Sequence, residues 1–204
     1  TNGKTTTTAL TAHVLEGADW NVVVAGNIGP TLLDVLGQRL ANQDLPQAWV
    51  LELSSFQLDG VEGFEPTAST VLNLSEDRLD WHGDMASYFA AKARIVGSTG
   101  LLVLNRSDAR VMALQPASEV VKKKKTIERE VATFGTDAPR VAGDWGLENV
   151  NGMNWLVRLI EREGGRKKAR AGAPEHEGYD DDAPFMQRLM PAEALRIQGQ
   201  HNAL

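Results

Sequence analysis

Cysteine is absent from all 204 residues, which excludes disulfides and thiolate metal sites and fits a reducing cytoplasm. Long apolar runs are missing too: no stretch has the length and composition of a membrane-spanning helix, and none reads as a secretory signal. An excess of positive charge is also lacking. With 21 Lys and Arg against 27 Asp and Glu, the formal net charge is -6. That balance argues against nucleic acid or an anionic membrane surface as the main partner. The four-lysine run at 122–125 then reads as a solvated loop. What is present, 42% hydrophobic residues, can build the core of one large domain, or of one domain with part of another.

The chain opens TNGKTTTTAL. A phosphate-binding loop reads G-x-x-x-x-G-K-[ST]: its backbone amides and the following helix N-terminus cradle phosphates, the lysine reaches the terminal ones, and the hydroxyl binds Mg²⁺. Gly3, Lys4 and Thr5 fill the last three places, Thr6 offers another hydroxyl, and Thr1 and Asn2 complete the stretch of loop present. The first glycine, the strand that should feed the loop and an initiator methionine are not there, so the chain is expected to be a piece of a longer protein. The alternative is an innocent helix start. A nucleotide switch that hydrolyses GTP would want a base-reading N-K-x-D motif; LNRSD at 104–108 imitates it with Arg106 in place of lysine. Its plainer reading is a turn that caps the next helix.

Apolar runs alternate with amphipathic segments over residues 1–105 at the spacing of strand and helix units. NVVVAGN (21–27), AWVLELS (48–54), TASTVLNLS (67–75) and GLLVLNRSD (100–108) are Val- and Leu-rich and end in small polar residues, as strands buried on both faces do. Residues 5–16, 31–40 and 85–96 carry helical spacing. The fold class is therefore α/β, a mostly parallel sheet flanked by helices, with ligands beyond the carboxyl ends of the strands. Later, residues 154–163 read as a strand of mixed alternation. Residues 164–184, glycine-rich and charged, read as an insertion loop, and GQHNAL at 199–204 reads as the start of a helix.

Four segments then combine. VLELSSFQLD (50–59), GNIGP (26–30), NLSEDRLDWHGDM with YFAAKARI (73–95) and terminal GQHNAL resemble, in order and approximate spacing, the central ATP-binding domain of the Mur ligases. This family builds peptidoglycan precursors on a domain like the phosphate-loop NTPases. LELSSFQL resembles the branch that adds D-glutamate to UDP-N-acetylmuramoyl-L-alanine. The resemblance covers nearly the whole chain and fails mainly in 164–184. It implies flanking uridine-nucleotide-binding and amino-acid-binding domains outside these residues, without which the chain alone should be inactive.

The reaction so implied moves the γ-phosphoryl of ATP onto a substrate carboxylate, and the incoming amine attacks the resulting acyl phosphate. Two anions must meet, so cations must neutralise the approach. The resemblance assigns this to Lys4, the helix start and two Mg²⁺ ions. Thr5 and Glu52 would bind the ion shared with ATP, and Glu52 would face the second. Lys92 would carry a CO₂-derived carbamate that holds or orients that second metal; from pattern alone it is a solvated helix lysine. Burial favours the neutral amine that reacts with CO₂. Asn27 resembles a contact to the nucleotide-sugar, and Ser54, Ser55 and Gln57 line that strand end and are expected to face the substrate as well. His201 and Asn202 resemble the helix start that approaches adenine. One departure stands out: Arg78 occupies the place of the family's metal-binding histidine, and arginine cannot ligate a metal. His82 either substitutes or packs against the loop at Gly83. The expected molecule is a cytoplasmic monomer that binds neither nucleic acid nor membrane. Rival readings are a folylpolyglutamate synthase-type ligase, a GTP-hydrolysing switch and a non-catalytic binding module.

Overall fold

The computed structural model describes residues 2–75, 79–116, 129–162 and 183–195. The chain divides into two compact units, residues 1–131 and 132–204.

In the first unit, α1 (Lys4–Gly17) leads to β1 (Val22–Gly26), α2 (Leu32–Ala41) and β2 (Ala48–Glu52). The strands pair in parallel from Val22 opposite Ala48 to Gly26 opposite Glu52. A short α3 (Ser55–Leu58) follows, then β3 (Ala68–Val71), α4 (Leu79–His82), α5 (Met85–Ala93) with a 3-10 turn at Arg94–Val96, β4 (Leu101–Asn105) and α6 (Ala109–Met112). β3 and β4 also pair in parallel, Ala68 opposite Leu101 and Val71 opposite Leu104. Among the described residues β2 and β3 are not hydrogen-bonded to each other.

Two apolar clusters hold this unit. Val71, Leu74, Tyr88, Val96, Leu102, Leu104 and Val111 pack β3 and β4 against α5 and α6. Leu102, Leu104 and Val111 are wholly buried, each contributing about 1.5–3 kcal/mol by its removal from water. Val23, Ala25 and Val35 form the smaller cluster, with Leu32, Trp49 and Leu51 against it. Helix starts follow their sequence: Thr31 caps α2 by accepting from the Asp34 N–H, and Asp84 caps α5 by accepting from the Ser87 N–H.

The expected strands exist but end earlier than the apolar runs do. The run 67–75 yields only Ala68–Val71 and the run 100–108 only Leu101–Asn105. Beyond those points backbone groups are taken by side chains instead of by a neighbouring strand. Asn105 Nδ2 donates to the Leu72 carbonyl at 2.9 Å, and the Leu74 N–H donates to Asp108 Oδ2 at 2.8 Å. Asp108 also caps α6, accepting from the Arg110 and Val111 amides, so LNRSD is the helix-capping turn that was expected.

The chain crosses from the first unit to the second within β5 (Val131–Phe134). The second unit contains β6 (Trp145–Val150), β7 (Met153–Ile160) and β8 (Phe185–Pro191), an antiparallel meander. Asn151 and Gly152, both at positive φ, make the two-residue turn between β6 and β7. The buried Asp144 carboxylate accepts from the Thr133 N–H at 2.6 Å. The 154–163 expectation corresponds to β7, displaced slightly toward the N-terminus. Of the expected insertion, 164–182 lie outside the described residues, as does the lysine run at 122–125. No described helix is long and apolar enough to cross a membrane.

Candidate functional site at the strand ends

The site begins with the entry to α1. Gly3 sits at φ 81°, a left-handed conformation that favours glycine, and turns the chain into the helix. No side chain caps that end and no acidic residue occupies the first turn, so the orphan amides and the positive end of the helix dipole suit an anion. Asn2, just before the bend, is held by Asn73: its N–H donates to Asn73 Oδ1 at 2.8 Å and its carbonyl accepts from Asn73 Nδ2 at 3.0 Å.

Glu52 ends β2 and is only 5% exposed. Its two carboxylate oxygens have different partners. The Thr5 hydroxyl donates to Oε2 at 2.9 Å, and Asn27 Nδ2 donates to Oε1 at 3.3 Å. The Asn27 N–H also donates to the Glu52 carbonyl at 2.7 Å. Three separated motifs, GKT, GNIG and LELS, thus converge on one carboxylate, which needs such partners because a bare buried charge is costly.

A cleft opens beside it, lined by Lys4, Thr7 and Thr8 of α1, Glu52 of β2, Thr70 of β3 and Lys92 of α5, with apolar walls. Lys92 is 5% exposed, so it is not the solvated helix lysine that its pattern alone suggested. Lys4, Glu52 and Lys92 therefore share one cavity, although they are far apart in sequence. Thr70 Oγ1 is buried there with no hydrogen-bond partner among the described residues.

The remaining expected residues separate. Ser54 and Gln57 form a capping box at α3: Ser54 Oγ accepts from the Gln57 N–H, and Gln57 Oε1 accepts from the Ser54 N–H at 3.0 Å. Ser55 is buried at 3% exposure. The Ser-x-x-Gln spacing is the sequence signature of that box, and it identifies a local structural duty for residues otherwise read as substrate contacts. His82 does not line the cleft. Its ring stacks on Phe56 with centroids 5.8 Å apart and lies 5.5 Å from Tyr88, while Nε2 is buried without a partner among the described residues. It packs against the aromatic rings of α3 and α5. Thr6 lies in the first turn of α1. Thr1, Arg78, His201 and Asn202 lie outside the described residues.

Sequence reading missed Asn73. The signal was a carboxamide near the polar end of the expected strand 67–75, two residues beyond the observed β3, where it can pair with backbone in both directions.

The oxygen donors fit a hard cation. Thr5 Oγ1 and Glu52 Oε2 are already 2.9 Å apart, and Mg²⁺ takes one or two protein oxygens and completes its shell with phosphates and water. No cluster of three or more His, Cys, Asp or Glu suited to a metal exists among the described residues. A buried lysine amine in the same cleft also fits a carbamate, because burial favours the neutral, reactive form.

Comparison with known proteins shows the family of the chain. The model of a family described as Mur ligase middle domain matches residues 1–155. The chain is 55% identical over 204 residues to the UDP-N-acetylmuramoylalanine–D-glutamate ligase of Albidiferax ferrireducens. It is 50% identical over 203 residues to the protein of that name in a Polaromonas species, and 47% over 203 residues to that of Paraburkholderia xenovorans. All of this chain is covered in each case, but only 39%, 33% and 39% of the respective relatives.

Proposed function

This chain belongs to the Mur ligase family, and on that premise we propose that it is the ATP-binding middle portion of a longer enzyme that joins D-glutamate to UDP-N-acetylmuramoyl-L-alanine. Supporting this are the family match over residues 1–155 and the shared name of the relatives. The observation that carries the chemistry is the meeting of Lys4, Glu52 and Lys92 in one cleft, with the Thr5 hydroxyl on the Glu52 carboxylate. In this reading a uridine-nucleotide-binding domain precedes the portion, an amino-acid-binding domain follows it, and the whole acts as a cytoplasmic monomer.

Each residue has a task. The α1 amides, with Asn2, Gly3 and Thr6 around them, receive the ATP phosphates, and Lys4 supplies the positive charge that lets a carboxylate approach a triphosphate. Thr5 and Glu52 would hold Mg²⁺, and a carbamate on Lys92 would face a second ion. When bound, these ions neutralise the phosphoryl oxygens and the substrate carboxylate. Asn27, whose carboxamide bonds to Glu52, would contact the nucleotide-sugar. Ser54, Ser55 and Gln57 contribute by shaping the turn after β2, the first and last through their capping box. His201 and Asn202 would approach the adenine.

Amide formation by the complete enzyme, given ATP, UDP-N-acetylmuramoyl-L-alanine and a panel of amino acids, tests the reading. D-glutamate should be consumed, and L-lysine, diaminopimelate and L-alanine should not. Preference for another amino acid, or for GTP over ATP, would overturn it.

A further inference from the structure

The Asn73 side chain bonds to both the N–H and the carbonyl of the phosphate-loop residue Asn2. Its carboxamide meets Asn2 as a neighbouring strand would, one donor to the carbonyl and one acceptor to the N–H. Asn and Gln carry a donor and an acceptor on one terminal carbon, side by side in one plane, as this pairing requires.

Asn73 is itself gripped from behind. The Leu72 carbonyl on one side accepts from Asn105 Nδ2 at 2.9 Å, and the Leu74 N–H on the other donates to Asp108 Oδ2 at 2.8 Å. The Leu74 carbonyl accepts from the Arg110 guanidinium at 3.4 Å, and the Leu74 side chain is buried in the larger apolar cluster. The backbone carrying Asn73 therefore has little freedom to turn its side chain elsewhere.

The consequence follows from peptide geometry. The Asn2 carbonyl and the Gly3 N–H belong to one planar trans peptide, so they point in opposite directions. Holding the carbonyl on Asn73 directs the Gly3 N–H away from it. Gly3, at positive φ, then sets the start of α1 and the base of Lys4.

We propose that Asn73 is a positioning residue for nucleotide phosphates: held by Asn105 and Asp108, its carboxamide clamps Asn2 and fixes the Gly3 amide before any nucleotide arrives. The LNRSD turn thereby acquires a purpose beyond capping α6, as the support of that clamp. This inference rests on the phosphate-binding reading of α1 given above.

The test uses the complete enzyme and direct titration with Mg-ATP, so that it does not depend on turnover. Asn73→Ala should weaken ATP binding about tenfold, the scale of one or two lost neutral hydrogen bonds. Asn73→Asp should weaken it at least as much, because it loses the donor to the Asn2 carbonyl and adds negative charge beside phosphates. Glu65→Gln, which loosens a distant turn, should lower the melting temperature and leave ATP affinity within twofold. In the unmodified enzyme without nucleotide, the Asn2 amide should exchange slowly with solvent. Unchanged affinity in both folded Asn73 variants, equal weakening by Glu65→Gln, or a rapidly exchanging Asn2 amide would each overturn the proposal. An enzyme that binds ATP with this dependence on Asn73 but makes no D-glutamate amide would sink the proposed reaction and support the clamp.

Discussion

At the scale of single residues, the site depends on close approach. Gly26, the last residue of β1, lies at φ 125° opposite Glu52, and a β-carbon built there would stand 2.2 Å from the Glu52 carbonyl oxygen. Glycine is needed on both counts, for the conformation and for the space. The same Glu52 carbonyl accepts from the Asn27 N–H, so displacing it moves the carboxylate, Asn27 and Thr5 together. Gly26→Ala should cost on the order of 2–4 kcal/mol, from strain and overpacking, and should lower ligase activity further than that stability loss explains. Melting curves and turnover of the complete enzyme check this; a variant with parental melting and turnover would show that the approach is not constrained.

Among the elements, the connection from the 3-10 turn after α5 to β4 is held by one carboxylate. Glu65 accepts from the Ser98 N–H and hydroxyl and from the Thr99 N–H and hydroxyl, at 2.7 to 3.1 Å. The Ser98 amide first, then the Ser98 hydroxyl and the Thr99 amide, hold its pKa down from 4.5 to about 2. A depressed carboxylate stabilises the fold above its unfolded pKa, and the contribution is lost as pH falls from about 4.5 through about 2. Because the group is solvent-exposed, the effect is modest. The difference in melting temperature between parent and Glu65→Gln should hold steady above pH 5 and shrink below pH 4; a difference independent of pH down to 2 would contradict the assignment. Legibility in the sequence divides at the same scale. Apolar runs with helical or strand spacing placed α1, α2, α5 and β1 to β4, because burial dictates that pattern. They overshot at 67–75 and 100–108, because nothing in an apolar period shows that Asn105 and Asp108 capture the backbone instead. β6 was missed although Asn151–Gly152 is a strong two-residue turn signal, since its strand alternates irregularly.

Taken whole, the molecule brings the ends of two parallel strand pairs to a shared cleft, where the proposed chemistry would occur. Thr5 bonds to the carboxylate at the end of β2 and Asn2 to the residue two beyond β3, so the phosphate loop bridges the ends of both pairs. That Lys4, Glu52 and Lys92 would meet was legible only through the resemblance of four motifs to a family; composition and spacing put Lys92 in solvent, whereas the packing of α5 buries it. The most direct test is a crystal structure of the complete enzyme with Mn²⁺ and a non-hydrolysable ATP analogue, read by anomalous scattering. The expected result is a manganese peak at the Thr5 hydroxyl and Glu52 carboxylate, with carboxyl density on Lys92 Nζ facing a second peak. Manganese and nucleotide bound elsewhere, with an unmodified Lys92, would contradict the account.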